Sequence, residues 1–392
     1  MNAPLSQDIV VIGSGIAGIT LVREIRKLNT DASITLITAD DGDVYSKPML
    51  SNAFAQGKTL SSLVQKSADV LATELNITVR ASTKVLRLTR TDKSVTVEGP
   101  GGRDTVRYGQ LVLATGANAR AYRVEGSGGA PLYSVNNLDD FARWREALTP
   151  GARVLIIGAG LIGSEFANDL RTGGYGVSVV DPAPWPLGRL LPEALGGAMA
   201  DALEQAGIAL HMGRAVTAML PSDKGGWVAK LDDGKLVEFD IALSAIGLVA
   251  NTDLAKDAGL SVEQGIRVDG MLRTSDPDIF ALGDCAQTDA GVLPYILPVM
   301  AAARALAKTL TGMPTSLHLP ALPVSVKTPA LACVVCPPPF GATGHWVVQG
   351  KGRDLKALYM SDDGKALGFA LTGNETPARQ AMAKDMPDLL AA

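Results

Sequence analysis

The chain carries only three cysteines in 392 residues, and none before Cys285. Three thiols cannot build the disulfide framework of a secreted domain, so a reducing, cytoplasmic setting is expected. Basic charge is not in excess either: 36 Lys and Arg stand against 40 Asp and Glu, a formal charge of −4. Without a basic footprint to neutralise phosphates, nucleic acid is excluded as a main partner. Aromatic residues are scarce (4 Trp, 7 Tyr and 7 Phe), which argues against a stacking surface for single strands. No apolar run reaches the roughly 20 residues that a membrane-spanning helix needs. The longest, Ile9 to Val22, is broken by Gly13, Gly15 and Gly18 and starts too early to leave room for a secretory leader before it. No membrane insertion is expected. The three histidines, His211, His318 and His345, are scattered, so their spacing supports neither a metal cluster nor a Ser-His-Asp relay.

What the chain has in abundance is glycine, 42 residues or about 11% against an ordinary 7%. At roughly 150 residues per domain the length allows two to three domains, and a repeat organises them. Residues 9–18 read IVVIGSGIAG and residues 154–163 read VLIIGAGLIG. Each is an apolar strand, a G-x-G-x-x-G loop and a helical pattern, followed by a second apolar run, ITLIT at 34–38 and VSVVD at 177–181. Gly13 and Gly158 permit the tight turn, Gly15 and Gly160 let a pyrophosphate approach the backbone, and Gly18 and Gly163 allow the helix to lie close to the strand. The phosphates then face a helix N-terminus. Two such units imply two dinucleotides on one chain. Asp181 ends the second unit's second strand, where a carboxylate accepts hydrogen bonds from a ribose 2′-OH and repels a 2′-phosphate, so NAD(H) is expected there. Thr38 holds the matching place in the first unit, with Asp40 and Asp41 beyond it.

Two further strands stopped by glycine, LVLATGAN at 111–118 and IALSAIGLVAN at 241–251, close the two halves. Alternating runs between Val79 and Leu113, with GPGG at 99–102, predict antiparallel hairpins; WVAKLDDGKLVEFDIAL is their counterpart. After DIFALGDCA at 278–286 comes an apolar helix from Val299 to Leu310. From Val324 short strands, the turn CPPPF, a hairpin at Asp362–Gly364 and a terminal helix from about Glu375 form a smaller unit. The expected fold is α/β: two Rossmann-like dinucleotide-binding domains plus a small α+β C-terminal domain. Expected boundaries are 1–118 with 242–323, then 119–241, then 324–392.

These stretches resemble the two-dinucleotide-binding flavoproteins of the FAD-dependent pyridine nucleotide-disulfide oxidoreductase superfamily, in the ferredoxin-reductase-like branch. The resemblance covers nearly the whole chain, through GSGIAG, ATGA at 114–117, GAGLIGSEFA at 158–167 and TSDPDIFALGDCA at 274–286. YSKPMLS at 45–51, GLIGSEFANDL at 160–170 and VKTPA at 326–330 are similar to the rubredoxin-reducing group. The resemblance implies FAD in the first, discontinuous domain, NADH in the inserted second, and a C-terminal domain beside the flavin. NADH would then pass a hydride to the flavin, and rubredoxin would take electrons from it one at a time for an alkane hydroxylase or a detoxifying oxidase. A ferredoxin reductase serving a dioxygenase or cytochrome P450, and a nucleotide-switched binding protein of the apoptosis-inducing-factor type, remain open as other readings.

Carried over by resemblance, Gly13, Ser14, Gly15, Ile16, Ala17 and Gly18 surround the FAD pyrophosphate, while Thr38, Ala39 and Asp40 meet its adenosine ribose. Gly158, Gly160, Leu161, Ile162, Gly163, Glu165 and Asp181 belong to the second loop. Val85, the turn Ala114, Thr115 and Gly116, and Gly247, Gly283, Asp284, Ile296 and Lys327 complete the cofactor-binding set. Related reductases place a lysine–glutamate pair at the flavin. Glu165 matches its acid, but the lysine position is Asn52 here, and Lys47 is expected to substitute; Glu165 and Lys47 are thus the expected catalytic residues. No thiol precedes Cys285, so no disulfide or sulfenate relay of the kind found in related reductases operates near the first loop. Cys333 and Cys336 lie in a β-like run, where residues three apart point to opposite faces and cannot share a bond. Arg304, Lys308 and Lys327 are expected to steer an acidic rubredoxin. Trp185 and Trp346 are read as packing residues, and Tyr45 as either packing or flavin-adjacent.

Overall fold

Runs such as Ile9–Ile12 and Arg153–Ile157 bury apolar side chains on both faces, and only a parallel sheet covered on both sides accommodates that. The computed structural model, which describes residues 8–223 and 225–391, contains two such sheets. The first has the order Ile279–Ala281, Gln110–Leu113, Ile9–Ile12, Ile34–Ile37, Thr78–Arg80, all parallel. The second runs Leu132–Tyr133, Ile241–Ser244, Arg153–Ile157, Gly176–Asp181, Ile208–Met212, again all parallel. Each half adds a three-stranded antiparallel sheet: Lys84–Thr89, Ser94–Gly99 and Gly102–Arg107 in one, Val216–Pro221, Trp227–Leu231 and Leu236–Phe239 in the other. The seven residues before Asp8, over which no leader pattern is read, lie outside the described residues.

Three expectations change. Thr78–Arg80 is not a hairpin strand: it pairs in parallel with Ile34–Ile37 and forms the edge of the first sheet. The expected boundary at 241/242 cuts the strand Ile241–Ser244, which lies wholly within the second sheet. The crossing falls later, where Ala117–Ala119 pairs antiparallel with Leu248–Ala250. The terminal helix begins as a 3₁₀ turn, Gly373–Ala378, because Pro377 inside it donates no N–H, and only Arg379–Ala383 is α-helical.

The C-terminal sheet has the order Val324–Val326, Cys333–Cys336, Ala366–Thr372, Asp354–Met360, His345–Lys351. Cys333 and Val335 face the core shared with the second domain, whereas Val334 and Cys336 face Phe369 and Leu371 on the other side. The alternation expected from the sequence therefore keeps the two thiols apart, and both are free. Burial pushes the Cys333 thiol up to about 12 and the Cys336 thiol up to about 11, so neither supplies a thiolate at neutral pH.

Each glycine loop divides its glycines by steric role. At Gly158 (φ +103°) a Cβ would lie 2.6 Å from Ala245 O, and at Gly163 one would lie 1.9 Å from Gly158 O. At Gly160 a Cβ would meet nothing within 4 Å. The first loop repeats this: Gly13 and Gly18 are blocked by backbone and Gly15 is open. Gly163→Ala and Gly18→Ala are therefore expected to cost about 1–3 kcal/mol from overpacking, read as a lower thermal midpoint. Gly160→Ala and Gly15→Ala should keep the wild-type midpoint and weaken dinucleotide binding; equal midpoints for all four variants would contradict this division.

Candidate functional site

The open middle glycines lie at helix starts that have no side-chain cap. Gly15 precedes the helix Ile16–Leu28 and Gly160 precedes Leu161–Thr172, neither with a capping side chain nor an acid in its first turn. The orphan N–H groups and the positive end of each helix dipole are thus left for an anion. Ile16 and Ile162 are exposed at these starts, while Ala17 packs under Gly283, whose Cβ would lie 2.8 Å away. A pyrophosphate fits both loops.

Beyond each loop a carboxylate lies at the second strand's end, Asp181, or three residues past it, Asp40. In the first unit Asp40 Oδ1 accepts from Ser14 Oγ (3.0 Å), Thr38 Oγ1 (2.5 Å) and Gly42 N–H (3.0 Å), with Ala39 exposed between them. Thr38 O accepts from Thr83 N–H (2.8 Å), which brings Val85 to the same end of the sheet. In the second unit Asp181 accepts from Ala159 N–H (2.6 Å) and Ala183 N–H (2.7 Å). A carboxylate offers about four acceptor sites, so two remain for ribose hydroxyls. Both acids thus brace their loop from within as well as facing outward.

The helix Leu161–Thr172 is buried from Gly163 to Leu170, polar residues included. A helix buried all round must find partners for every polar side chain; Ser164 turns back to Ala159 O, and Glu165, Asn168 and Asp169 find theirs in the other two domains. Asn168 Oδ1 accepts from Ala330 N–H (3.0 Å), and Asp169 accepts from Phe54 N–H (3.1 Å) and Ala55 N–H (2.7 Å). Burial raises the Asp169 carboxyl above its ordinary range while those backbone donors pull it down. Glu165 accepts from Ser51 Oγ (2.6 Å) and Lys327 N–H (3.0 Å) and forms an ion pair with the Lys327 ammonium, which also donates to Pro48 O and Ser51 Oγ (2.8 Å each).

Lys47 therefore does not substitute in that pair. Its Nζ lies 2.6 Å from Asn136 Oδ1 and 3.9 Å from Asp284 Oδ2. Burial lowers the Lys47 ammonium and raises the Asp284 carboxyl, and each charge partly offsets the other's shift. Glu165 takes its lysine from the C-terminal domain instead, and Asn52 lines the same recess as Lys327.

 Ser51 and Lys327 stand 276 positions apart and share a hydrogen bond, a separation that no local motif spans.

The turns that end the central strands complete the site. Ala114 O is the atom that bars a Cβ at Gly13. Thr115 Oγ1 donates to Asn251 O (2.9 Å), and Asn251 Nδ2 donates back to Thr115 O (2.8 Å). Gly116 (φ +66°) and Gly247 (φ +104°) both open onto free space. Ile296 begins the helix Ile296–Leu310, which lies along the helix Ile16–Leu28. Arg304 and Lys308 are exposed on that helix, about 12 and 18 Å along it from Ile296, whereas Lys327 is engaged by Glu165 and is no free steering charge. Tyr45 is a packing residue whose hydroxyl accepts from Leu138 N–H (3.2 Å), and burial pushes it up to about 12. Trp185 donates to Leu191 O (3.0 Å) and Trp346 packs edge-on against Tyr359. Ser51, Asn136, Asn168 and Asp169 escaped the sequence reading; the one available signal was a run of polar residues, SEFAND, on a helix otherwise patterned for burial.

Comparison with known proteins agrees with this geometry. Residues 7–307 match the family described as pyridine nucleotide-disulphide oxidoreductase, and residues 316–386 match the rubredoxin binding C-terminal domain. A rubredoxin-NAD(+) reductase from Alcanivorax borkumensis is 43% identical over 382 residues, covering 97% of this chain and 99% of the relative. A nitric oxide reductase FlRd-NAD(+) reductase from Aeromonas salmonicida is 38% identical over 387 residues, 98% of each chain. The solved ferredoxin reductase from Rhodopseudomonas palustris superposes with a TM-score of 0.86 at 25% identity, covering 97% of this chain and 96% of that one. With two dinucleotide loops, no thiol beside the first, and a matching C-terminal domain, the chain belongs to the pyridine nucleotide-disulphide oxidoreductase family.

Proposed function

We propose that the protein is an FAD-dependent reductase that carries electrons from NADH to rubredoxin. The observation that carries the reading is the pair of uncapped glycine loops, each with an open middle glycine, joined through Glu165 and Lys327 to a C-terminal domain of the rubredoxin-binding type. Relatives that bear the reductase name over nearly their full length support it. FAD, held by the first glycine loop, would supply the redox chemistry between NADH's hydride and a one-electron acceptor.

The chain's own residues bind and orient. In this reading Gly13, Ser14, Gly15, Ile16, Ala17 and Gly18 hold the FAD pyrophosphate, with Thr38, Ala39, Asp40 and Val85 at its adenosine end. Ala114, Thr115, Gly116, Gly283, Asp284, Lys47 and Ile296 line its course. Gly158, Gly160, Leu161, Ile162, Gly163 and Gly247 hold NADH, and Asp181 meets its ribose. Glu165 and Lys327 position the C-terminal domain against both. The first domain then comprises residues 1–118 and about 245–323, the second 119 to about 244, and the third 324–392. A reducing, cytoplasmic setting suits three free, buried thiols. An alkane hydroxylase or a detoxifying oxidase would consume the reduced rubredoxin. Among the described residues no helix is long and apolar enough to cross a membrane. Purified FAD-loaded protein should reduce rubredoxin with NADH at a far higher kcat/KM than a [2Fe-2S] ferredoxin; the reverse order would favour a ferredoxin reductase.

Two variants test the parts. Asp181→Asn removes the charge but leaves one acceptor for the loop, and should lower the NADH-over-NADPH ratio of kcat/KM about tenfold, or ~1.4 kcal/mol. Asp181→Arg should also destabilise, since Ala159 and Ala183 N–H lose their acceptor; an unchanged ratio in both would remove Asp181 from nucleotide choice. Lys327→Met strands a buried carboxylate and should cost about 2–3 kcal/mol in denaturant unfolding. Adding Glu165→Gln should recover part of that loss, whereas additive losses would mean that the pair is uncoupled.

A further inference from the structure

Phe340 is 86% exposed, more than any other large apolar residue among those described. Single exposed apolar side chains are ordinary, but this one lies in a charge-free run of the stretch that matches the rubredoxin binding domain. Within that stretch, residues 316–386, Phe340 is far more exposed than the next large apolar residues, Val347 (38%) and Val348 (37%), which lie on the edge strand His345–Lys351 and point to opposite faces. From Pro337 to Val348 the sequence PPPFGATGHWVV carries no Lys, Arg, Asp or Glu, although charged residues make up 19% of the chain. The loop is also stiff. Three prolines fix φ on its way to Phe340, Ala342 N–H donates to Pro339 O (3.1 Å), and Tyr359 Oη donates to Ala342 O (3.3 Å). A Cβ at Gly368 would come within 2.7 Å of Cys336 O and Pro338 N, so the loop base lies tight against the sheet. An aromatic side chain held out on a rigid loop loses little conformational freedom on binding.

We propose that Phe340, on its triproline loop, is the apolar anchor for rubredoxin. This rests on the function proposed above and adds the surface to it. The strand Cys333–Cys336 separates the base of this loop from the segment after Lys327 by about 10 Å at strand rise, and Phe340 lies four residues beyond that base. A transient electron-transfer interface covers roughly 600 Å² per partner, a disc roughly 25 Å across, on the scale of that span. Because the patch is uncharged, its contribution should be insensitive to salt, unlike that of steering charges.

The test uses FAD-loaded full-length protein, rubredoxin and ferricyanide. Phe340→Ser should raise the KM for rubredoxin about tenfold or more, by equal factors at low and high salt, with kcat at saturation and NADH–ferricyanide turnover as in the wild type. Phe340→Trp should stay near wild type. An unchanged rubredoxin KM in Phe340→Ser, with wild-type rubredoxin reduction intact, overturns the anchor and leaves the function standing. A wild-type dimer that becomes monomeric in Phe340→Ser with the same KM would make the loop a self-association surface and also overturn it. Wild-type protein that reduces ferricyanide but not rubredoxin would instead overturn the function itself.

Discussion

The Glu165 carboxylate is the constraint on which the arrangement of the three domains depends. It sits on a helix of the second domain, accepts a hydrogen bond from Ser51 of the first, and pairs with Lys327 of the third. A buried carboxylate without partners is costly, so the helix that carries it demands that both neighbours stay in place. Asn168 and Asp169 repeat the demand one turn later, through Ala330 on one side and Phe54 and Ala55 on the other. Phe54 then inserts among Phe141, Trp144 and Tyr175, with ring centroids 5.5–5.8 Å apart, and adds apolar area to the polar joint. The same helix begins at the second glycine loop. Its uncapped N-terminus is left open to an anion while its flank holds the domains, so loop and domain geometry share one rigid element.

The two halves repeat one device. Both loops block a Cβ at the outer glycines and leave the middle one open, and each has an acid at or shortly after its second strand's end. They differ in how the acid is held. Asp40 is tied through the hydroxyls of Ser14 and Thr38, whereas Asp181 is tied directly to loop N–H groups. The halves also recruit their outermost central strand from opposite directions in the chain. Ile279–Ala281 comes after the inserted domain and Leu132–Tyr133 comes before its own glycine loop. That asymmetry makes the first domain discontinuous.

Much of the fold was legible because its signals are local. Four-residue apolar runs before G-x-G-x-x-G predict strand, turn and helix, and the alternation in Cys333–Cys336 places the two thiols on opposite faces without any structure. Thr78–Arg80 was misread because a short polar-and-apolar strand looks the same at the edge of a parallel sheet as in a hairpin. The break at 241/242 was misplaced because a buried strand gives no sign of which sheet it joins. The resemblance supplied Glu165 and Lys327 separately, as one residue of each motif, but not their pairing.

By itself the sequence determined the two nucleotide loops, the absence of a thiol near the first, the uncharged run at Pro337–Val348 and the three-part composition. Each of these follows from residue identity or short spacing. Only the tertiary structure decided which lysine meets Glu165, where Lys47 goes, and that Ser51, Asn168 and Asp169 join the domains. Those are contacts between residues far apart in the chain, and a side chain's partner is set by the desolvation cost of leaving it unpaired in the packed interior, which no local pattern encodes.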